Sequence, residues 1–262
     1  MLAKDTYLTA LGDNAQALAD ASVDNLAGTV PSCPDWTVGT LLGHLGAAYA
    51  MVSRQIEAGT AEDVVQSLED IRLPAGVAAW VDSQLAPDAM PTGVVPWFRA
   101  TADELVGLMT GVDPGAPAWT WYPPDQTTGF WMRRMAHETL IHRWDAELAR
   151  GATAAFDPPL AADGIDEALF IYQQTVCRPQ SKLEGDGESY RFRCTDTSGD
   201  WLVRFDGPLM TVSREPGTAD VVVRGSASDL FLFLWHRIPA DRLEIEGAPA
   251  LLARYFELAP PD

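Results

Sequence analysis

The apolar residues of this chain change period once, and that change limits the folds open to it. Up to about residue 150 they recur at helical spacing. Residues 4–22 carry Tyr7, Leu8, Leu11, Ala15 and Leu18, which predicts a first helix. A second starts near Trp36, with Thr37 as its cap, and runs to about Glu57, burying Leu41, Leu45, Ala48, Val52 and Ile56. Residues 62–88 read as helical, although Pro74 and Gly76 interrupt them. Another helix covers 96–110, with Pro96 in its first turn, and a long one runs from Thr128 to Arg150 and stops at Gly151. After the connector "GATAAFDPPLAADG" one helix spans 161–177, and then the period drops to two. "YRFRCTD", "DWLVRFDG", "LMTVSRE" and "ADVVVRG" are short alternating or β-branched runs between turn residues. "SASDLFLFLWHR" reads as a helix capped by Ser226 or Ser228, "LEIEG" as a last strand and "APALLARYFEL" as a closing helix. Two domains follow: a helical bundle over 1–152 and a small α+β domain with an antiparallel sheet over 160–262.

Composition narrows the partners. The formal net charge of −19 repels phosphate backbones, and no basic stripe interrupts it, so nucleic acid is not expected to bind. No apolar run reaches the roughly 18 residues of a membrane span, and "MLAKDTYLTALGDN" lacks the basic and apolar regions of a signal peptide. The expectation is a soluble cytoplasmic protein with no membrane partner. Cys33, Cys177 and Cys194 form no C-x-x-C pair, which points away from a disulfide framework or a zinc ribbon.

The stretch "MAHETLIHRWDAE", residues 135–147, looks like a zinc-protease HExxH with one residue too many. His137 and His142 are five apart, about 140° around a helix of 3.6 residues per turn, so they do not face one ion. Glu138 and His142 are four apart and share a stripe with Trp131, Met135 and Asp145. A carboxylate on such a face needs a metal or a basic partner, unless the face is solvated. His44 lies among Leu41, Leu45 and Ala48 in "LLGHLGAAYA", where Gly43 and Gly46 allow close approach of another helix. His44, Glu138 and His142 would make a three-ligand site with an open position, the catalytic zinc pattern. On spacing alone, a core histidine beside a solvated Glu–His pair explains the same residues.

The blocks "VPSCPDWTVGTLLGHLGAAY", "RRMAHETLIHRWDAELA" and "GSASDLFLFLWHRIPADRLEIEGAPALLARY" resemble, in order and across nearly the whole chain, the mycothiol-dependent maleylpyruvate isomerase family. Asp35 stands where that family often has glycine. The resemblance implies a DinB-like four-helix bundle followed by a sterol-carrier-like α+β domain. It implies a divalent metal, usually zinc, held by His44, Glu138 and His142, with Asp145 behind them as a supporting or substrate-orienting group. It also implies a role for Arg237, from the C-terminal domain, in the reaction. The cosubstrate it implies is mycothiol, the low-molecular-weight thiol of actinobacteria, acting as a metal-activated thiolate on a small electrophile. Isomerisation and S-transfer both fit, and maleylpyruvate is one candidate substrate among several.

Other residues carry weaker signals. Cys33 sits in a turn-like "PSCP", His137 faces Ile141, Trp144 and Leu148, and His236 has no motif partner. Arg54 reads as surface, and the Trp-rich "AWTWYPPDQTTGFW" either walls a pocket or caps the bundle. Two other classes compete with the thiol enzyme: a non-catalytic small-molecule or lipid binder with a vestigial site, and a metal hydrolase that places water in the open position.

Overall fold

The computed structural model of the protein describes residues 1–260; residues 261–262, the end of the expected C-terminal domain, lie outside them. The chain divides between Ala154 and Ala155 into two units.

The N-terminal unit is a helical bundle. Its elements are α1 (Lys4–Ser22), β1 (Thr29–Val30), β2 (Cys33–Thr37), α2 (Val38–Ala58), α3 (Ala75–Asp82), α4 (Val94–Gly111) and α5 (Thr128–Leu148). Helix α1 packs on α4 and α5, and α2 packs on the same two, so four long helices close around one core. Leu11, Leu18, Leu41, Leu45, Tyr49, Phe98 and Leu105 are fully buried there. The hydroxyls of Tyr49 and Thr139 share a 2.6 Å hydrogen bond between α2 and α5, which fixes their register.

The prolines of "GTVPSCPDW" frame a hairpin between α1 and α2. Strands β1 and β2 are antiparallel, pairing Val30 with Cys33 and Thr29 with Thr37, and Pro31 and Ser32 make the turn. Helix α2 begins where β2 ends. The Thr37 hydroxyl accepts from the Thr40 amide at 3.1 Å, and the Thr40 hydroxyl reaches back to the Thr37 amide.

Residues 62–88 hold less helix than their apolar content suggests. Only α3 and two short 3-10 turns, Leu68–Asp70 and Pro87–Ala89, form there. The cause is local competition. Asp70 Oδ2 accepts from the Gln66 and Ser67 amides at 2.9 Å each, and Asp63 Oδ1 accepts from the Val65 amide at 3.0 Å. Those side chains satisfy amides that a continuous helix would otherwise need.

The C-terminal unit starts with α6 (Pro158–Glu167), which continues through wider π-helical turns over Ala168–Cys177 into a last turn, α7 (Arg178–Gln180). A five-stranded sheet follows, built from β3 (Gly185–Cys194), β4 (Asp200–Gly207), β5 (Leu209–Ser213), β6 (Val221–Gly225) and β7 (Glu244–Glu246). The spatial order is β5-β4-β3-β6-β7. Pairing is antiparallel except between β3 and β6, which run parallel because the chain returns to the far side of β3 after the β3–β4–β5 meander. Strand β3 shows the expected alternation: Tyr190 and Phe192 are buried, whereas Arg191 points outward and pairs with Asp200 at 2.7 Å. Helix α8 (Ala227–Leu234), capped by Ser226, and α9 (Pro249–Leu258) complete the unit. Tyr255 of α9 meets Tyr190, Phe192 and Phe205 edge-on, with centroids 5.0–5.8 Å apart. Among the described residues no helix is long and apolar enough to cross a membrane.

Gly43 and Gly46 of α2 admit tryptophan rings. A Cβ on Gly43 would stand 2.7 Å from the ring of Trp80, which is buried and donates its indole N–H to Ala86 O at 3.0 Å. That ring cannot yield cheaply, so Gly43→Ala is expected to destabilise the protein by about 1–3 kcal/mol in chemical denaturation. Gly107 of α4 has open space around it, so Gly107→Ala is expected to shift the same midpoint upward, by about 0.5–1 kcal/mol.

Candidate metal centre

Helix α5 carries Arg134, Glu138, His142 and Asp145 along one stripe, three or four residues apart. Helix α2 brings His44 against that stripe. Glu138 Oε1 lies 3.3 Å from His44 Nε2 and 3.3 Å from His142 Nε2. One donor atom from each of the three residues fits within a span of 4.8 Å. Two ligands held about 2.0–2.1 Å from a tetrahedral zinc stand about 3.3–3.4 Å apart, so this donor set has the right types and the right spacing. The second carboxylate oxygen, Oε2, is taken by the guanidinium of Arg134, which leaves Oε1 alone to face the histidines. Burial pushes the Glu138 carboxyl upward, but Arg134 and the hydrogen bonds from His142 and His44 hold it well below the usual carboxylate range.

His142 is held from behind. Its Nδ1 lies 2.9 Å from Asp145 Oδ2, and Asp145 is fully buried. Asp145 accepts the hydrogen bond of Nδ1–H and so keeps that proton in place, and neutral His142 therefore has its lone pair on Nε2, facing the trio. Asp145 Oδ1 in turn accepts the Ser32 hydroxyl at 2.5 Å. Burial lowers the affinity of His142 for a proton, yet hydrogen bonds and charge from Asp145 and Glu138 outweigh it and raise the pKa to about 8. Trp36, on β2, walls one side. Its ring centroid is 5.1 Å from that of His44 and 6.2 Å from that of His142, near-parallel to the latter at 23°.

The structure therefore brings His44, Glu138, His142 and Asp145 together. Arg237 lies in the C-terminal unit, three residues past the end of α8, where its Nη1 donates to Trp235 O at 2.9 Å. His137 is fully buried and stands edge-on to Tyr7 of α1, a packing position away from the trio. Arg54 pairs with Glu57 at 2.9 Å, and His236 stacks on Phe256 with centroids 4.6 Å apart. In the Trp-rich loop, Trp121 and Tyr122 pack against Phe130. Three contributors escaped the sequence reading: Arg134, Ser32 and Trp36. Arg134 was open to discovery by its i, i+4 spacing to Glu138, whereas Ser32 and Trp36 reach the site through a hairpin that no short-range pattern announces.

An inward-facing His–Glu–His trio in a helical bundle, followed by a small α+β domain, defines the class. The family model for the mycothiol maleylpyruvate isomerase N-terminal domain matches residues 7–147, and the model for that family's C-terminal domain matches 159–254. The chain belongs to the mycothiol maleylpyruvate isomerase family, which places it among enzymes. A crystal structure of the mycothiol-dependent maleylpyruvate isomerase is similar in fold, with a TM-score of 0.60 at 16% identity, covering 94% of this chain and 93% of that one. A histidine-to-alanine mutant of that isomerase gives 0.60 at 17% identity with the same coverage. No curated protein matches the chain by sequence.

A metal would have to displace the His142 proton, whose pKa lies near 8 beside Glu138 and Asp145. Zinc titrations of metal-stripped protein are expected to lose about tenfold in apparent affinity per pH unit below pH 8 from this group, with matching proton release. Affinity that stays level between pH 6 and pH 8 would contradict the assignment of His142 as a ligand.

Proposed function

We propose that this protein is a metal- and mycothiol-dependent enzyme that acts on a small electrophilic alkene, as an isomerase or an S-transferase. The observation that carries the reading is the pair of 3.3 Å approaches of His44 Nε2 and His142 Nε2 to a single oxygen of Glu138. Two imidazoles converging on one carboxylate oxygen at this spacing match the donor set of a divalent ion of zinc type, which supports a metal here. His44, Glu138 and His142 would hold that ion, and family membership supports mycothiol as the thiol. When bound, a divalent ion lowers the pKa of a thiol that approaches it, so that the thiolate is present at neutral pH.

The chain's own residues prepare that chemistry. Asp145 keeps His142 turned with Nε2 toward the trio, and Arg134 keeps Glu138 ionised with one oxygen forward. Trp36 packs beside the two imidazoles and walls one side of the site. The thiolate sulfur then bonds to an electron-poor alkene carbon, and the π electrons move onto the conjugated carbonyl as an enolate. Rotation about the former double bond follows. The enolate electrons rebuild C=C as the C–S bond breaks, which returns the thiolate and the isomerised alkene. If the enolate carbon takes a proton first, the thioether persists and the outcome is S-transfer.

Untagged protein is expected to carry one divalent ion per chain and to lose it in His44→Ala, as read by elemental analysis. Turnover of a maleyl-type cis alkene is expected to require added thiol. Hydrolytic activity without thiol, or a metal content indifferent to His44→Ala, would overturn the reading. Arg237→Ala is expected to keep the metal and lower turnover at least tenfold, the outcome that a role in the reaction demands.

A further inference from the structure

We propose that Ser32 is a positioning residue of the metal centre, acting through Asp145 on the orientation of His142. The inference rests on the metal-site reading above and extends it to a residue on a different element. The chain runs Ser32 Oγ to Asp145 Oδ1 at 2.5 Å, then Asp145 Oδ2 to His142 Nδ1 at 2.9 Å, and ends at His142 Nε2 facing Glu138. Each carboxylate oxygen thus has a separate duty. Rotation of the Asp145 carboxylate about its Cβ–Cγ bond would turn the imidazole it holds, and the Ser32 hydroxyl on Oδ1 opposes that rotation.

Ser32 is itself constrained. It occupies the turn of the β1–β2 hairpin, between Pro31 and the pair Cys33–Pro34, where two fixed proline φ angles restrict the local backbone. The hairpin is anchored on α2 by the Val38 amide donating to Gly28 O at 2.9 Å and the Gly39 amide donating to Leu26 O at 2.8 Å. A second contact from the same hairpin reaches the same imidazole, since Trp36 lies near-parallel to the His142 ring. One hairpin therefore holds His142 from its face and, through Asp145, from its Nδ1 edge. Such supporting hydrogen bonds typically govern metal affinity by about 10–100-fold.

The test is cobalt titration of metal-stripped full-length protein, followed by the visible absorption of the bound ion. Ser32→Ala is expected to weaken cobalt about tenfold or more and alter the spectrum, while Ser32→Thr, which keeps the hydroxyl, stays within about threefold. Asp145→Asn supplies the second arm. If Ser32 acts through Asp145, the double variant binds no more weakly than Asp145→Asn alone, whereas independent effects would multiply. Wild-type affinity in Ser32→Ala, equal losses in the Ala and Thr variants, or multiplying effects in the double variant overturn the proposal while leaving the metal site standing. Absence of cobalt binding in the unmutated protein overturns both. Far-UV circular dichroism of each variant separates weakened binding from unfolding, and an unfolded Ser32→Ala leaves the Thr and double-variant arms to decide.

Discussion

A carboxylate set among helices has to be compensated, and the compensation of Glu138 organises the N-terminal unit. Its two oxygens face different partners: Oε2 meets Arg134 one turn back on α5, and Oε1 meets an imidazole from each of two helices. Any one of these contacts would lower the cost of burying the charge. Together they also aim it, because a guanidinium on one side leaves a single oxygen available on the other. The register that makes this possible is fixed nearby, where Tyr49 of α2 and Thr139 of α5 share a buried hydrogen bond. Position 139 is next to Glu138, so the same pairing of helices that buries Tyr49 delivers His44.

Much of this was legible in the sequence, and for identifiable reasons. Glu138, His142 and Asp145 follow helical spacing, which the 3.6-residue repeat makes visible. His44 stood out as a polar residue among Leu41, Leu45 and Ala48. Both cases depend on periodicity within one element. Arg134 has the same helical spacing to Glu138, but α5 is buried on nearly every side, from Phe130 through Ala146, so spacing alone did not mark it as a site residue rather than a surface one. Ser32 and Trp36 were hidden for a different reason. Their roles are set by a hairpin of two short strands, and the proline-rich segment reads only as the end of one helix and the start of another.

The same distinction explains where the outline of the fold was less exact. Helices α1, α2 and α4 have long apolar stripes, α2 has its Thr37 cap and α5 ends before Gly151, and their extents were readable. Residues 62–88 have apolar content but also Asp63, Ser67 and Asp70, whose side chains capture nearby amides and divide the segment into turns. In the C-terminal unit the alternation of β3 to β6 was plain, yet alternation does not encode strand order. The parallel contact of β3 with β6 arises from where the chain returns after β5, a tertiary choice that leaves no mark on the period.

The charge of the trio bears on what the site can favour. Arg134 cancels the charge of Glu138, and both histidines are neutral when they act as ligands, so the immediate donor set contributes almost no net charge of its own. A His–Glu–His set without such an arginine would offset part of a divalent cation's charge. On the proposed reading, Arg134 would leave more of a bound cation's positive charge to act on whatever approaches. The group that gains most is an anion formed by losing a proton, and a thiol is easier to deprotonate than water. Asp145 stands behind, bonded to His142 Nδ1 and to the Ser32 hydroxyl. Its negative charge therefore raises the basicity of the ligand without occupying the face from which a thiol and its substrate would approach. In a chain with a formal net charge of −19, any positive bias at this place would have to come from the proposed cation, which Arg134 would keep from being offset by Glu138.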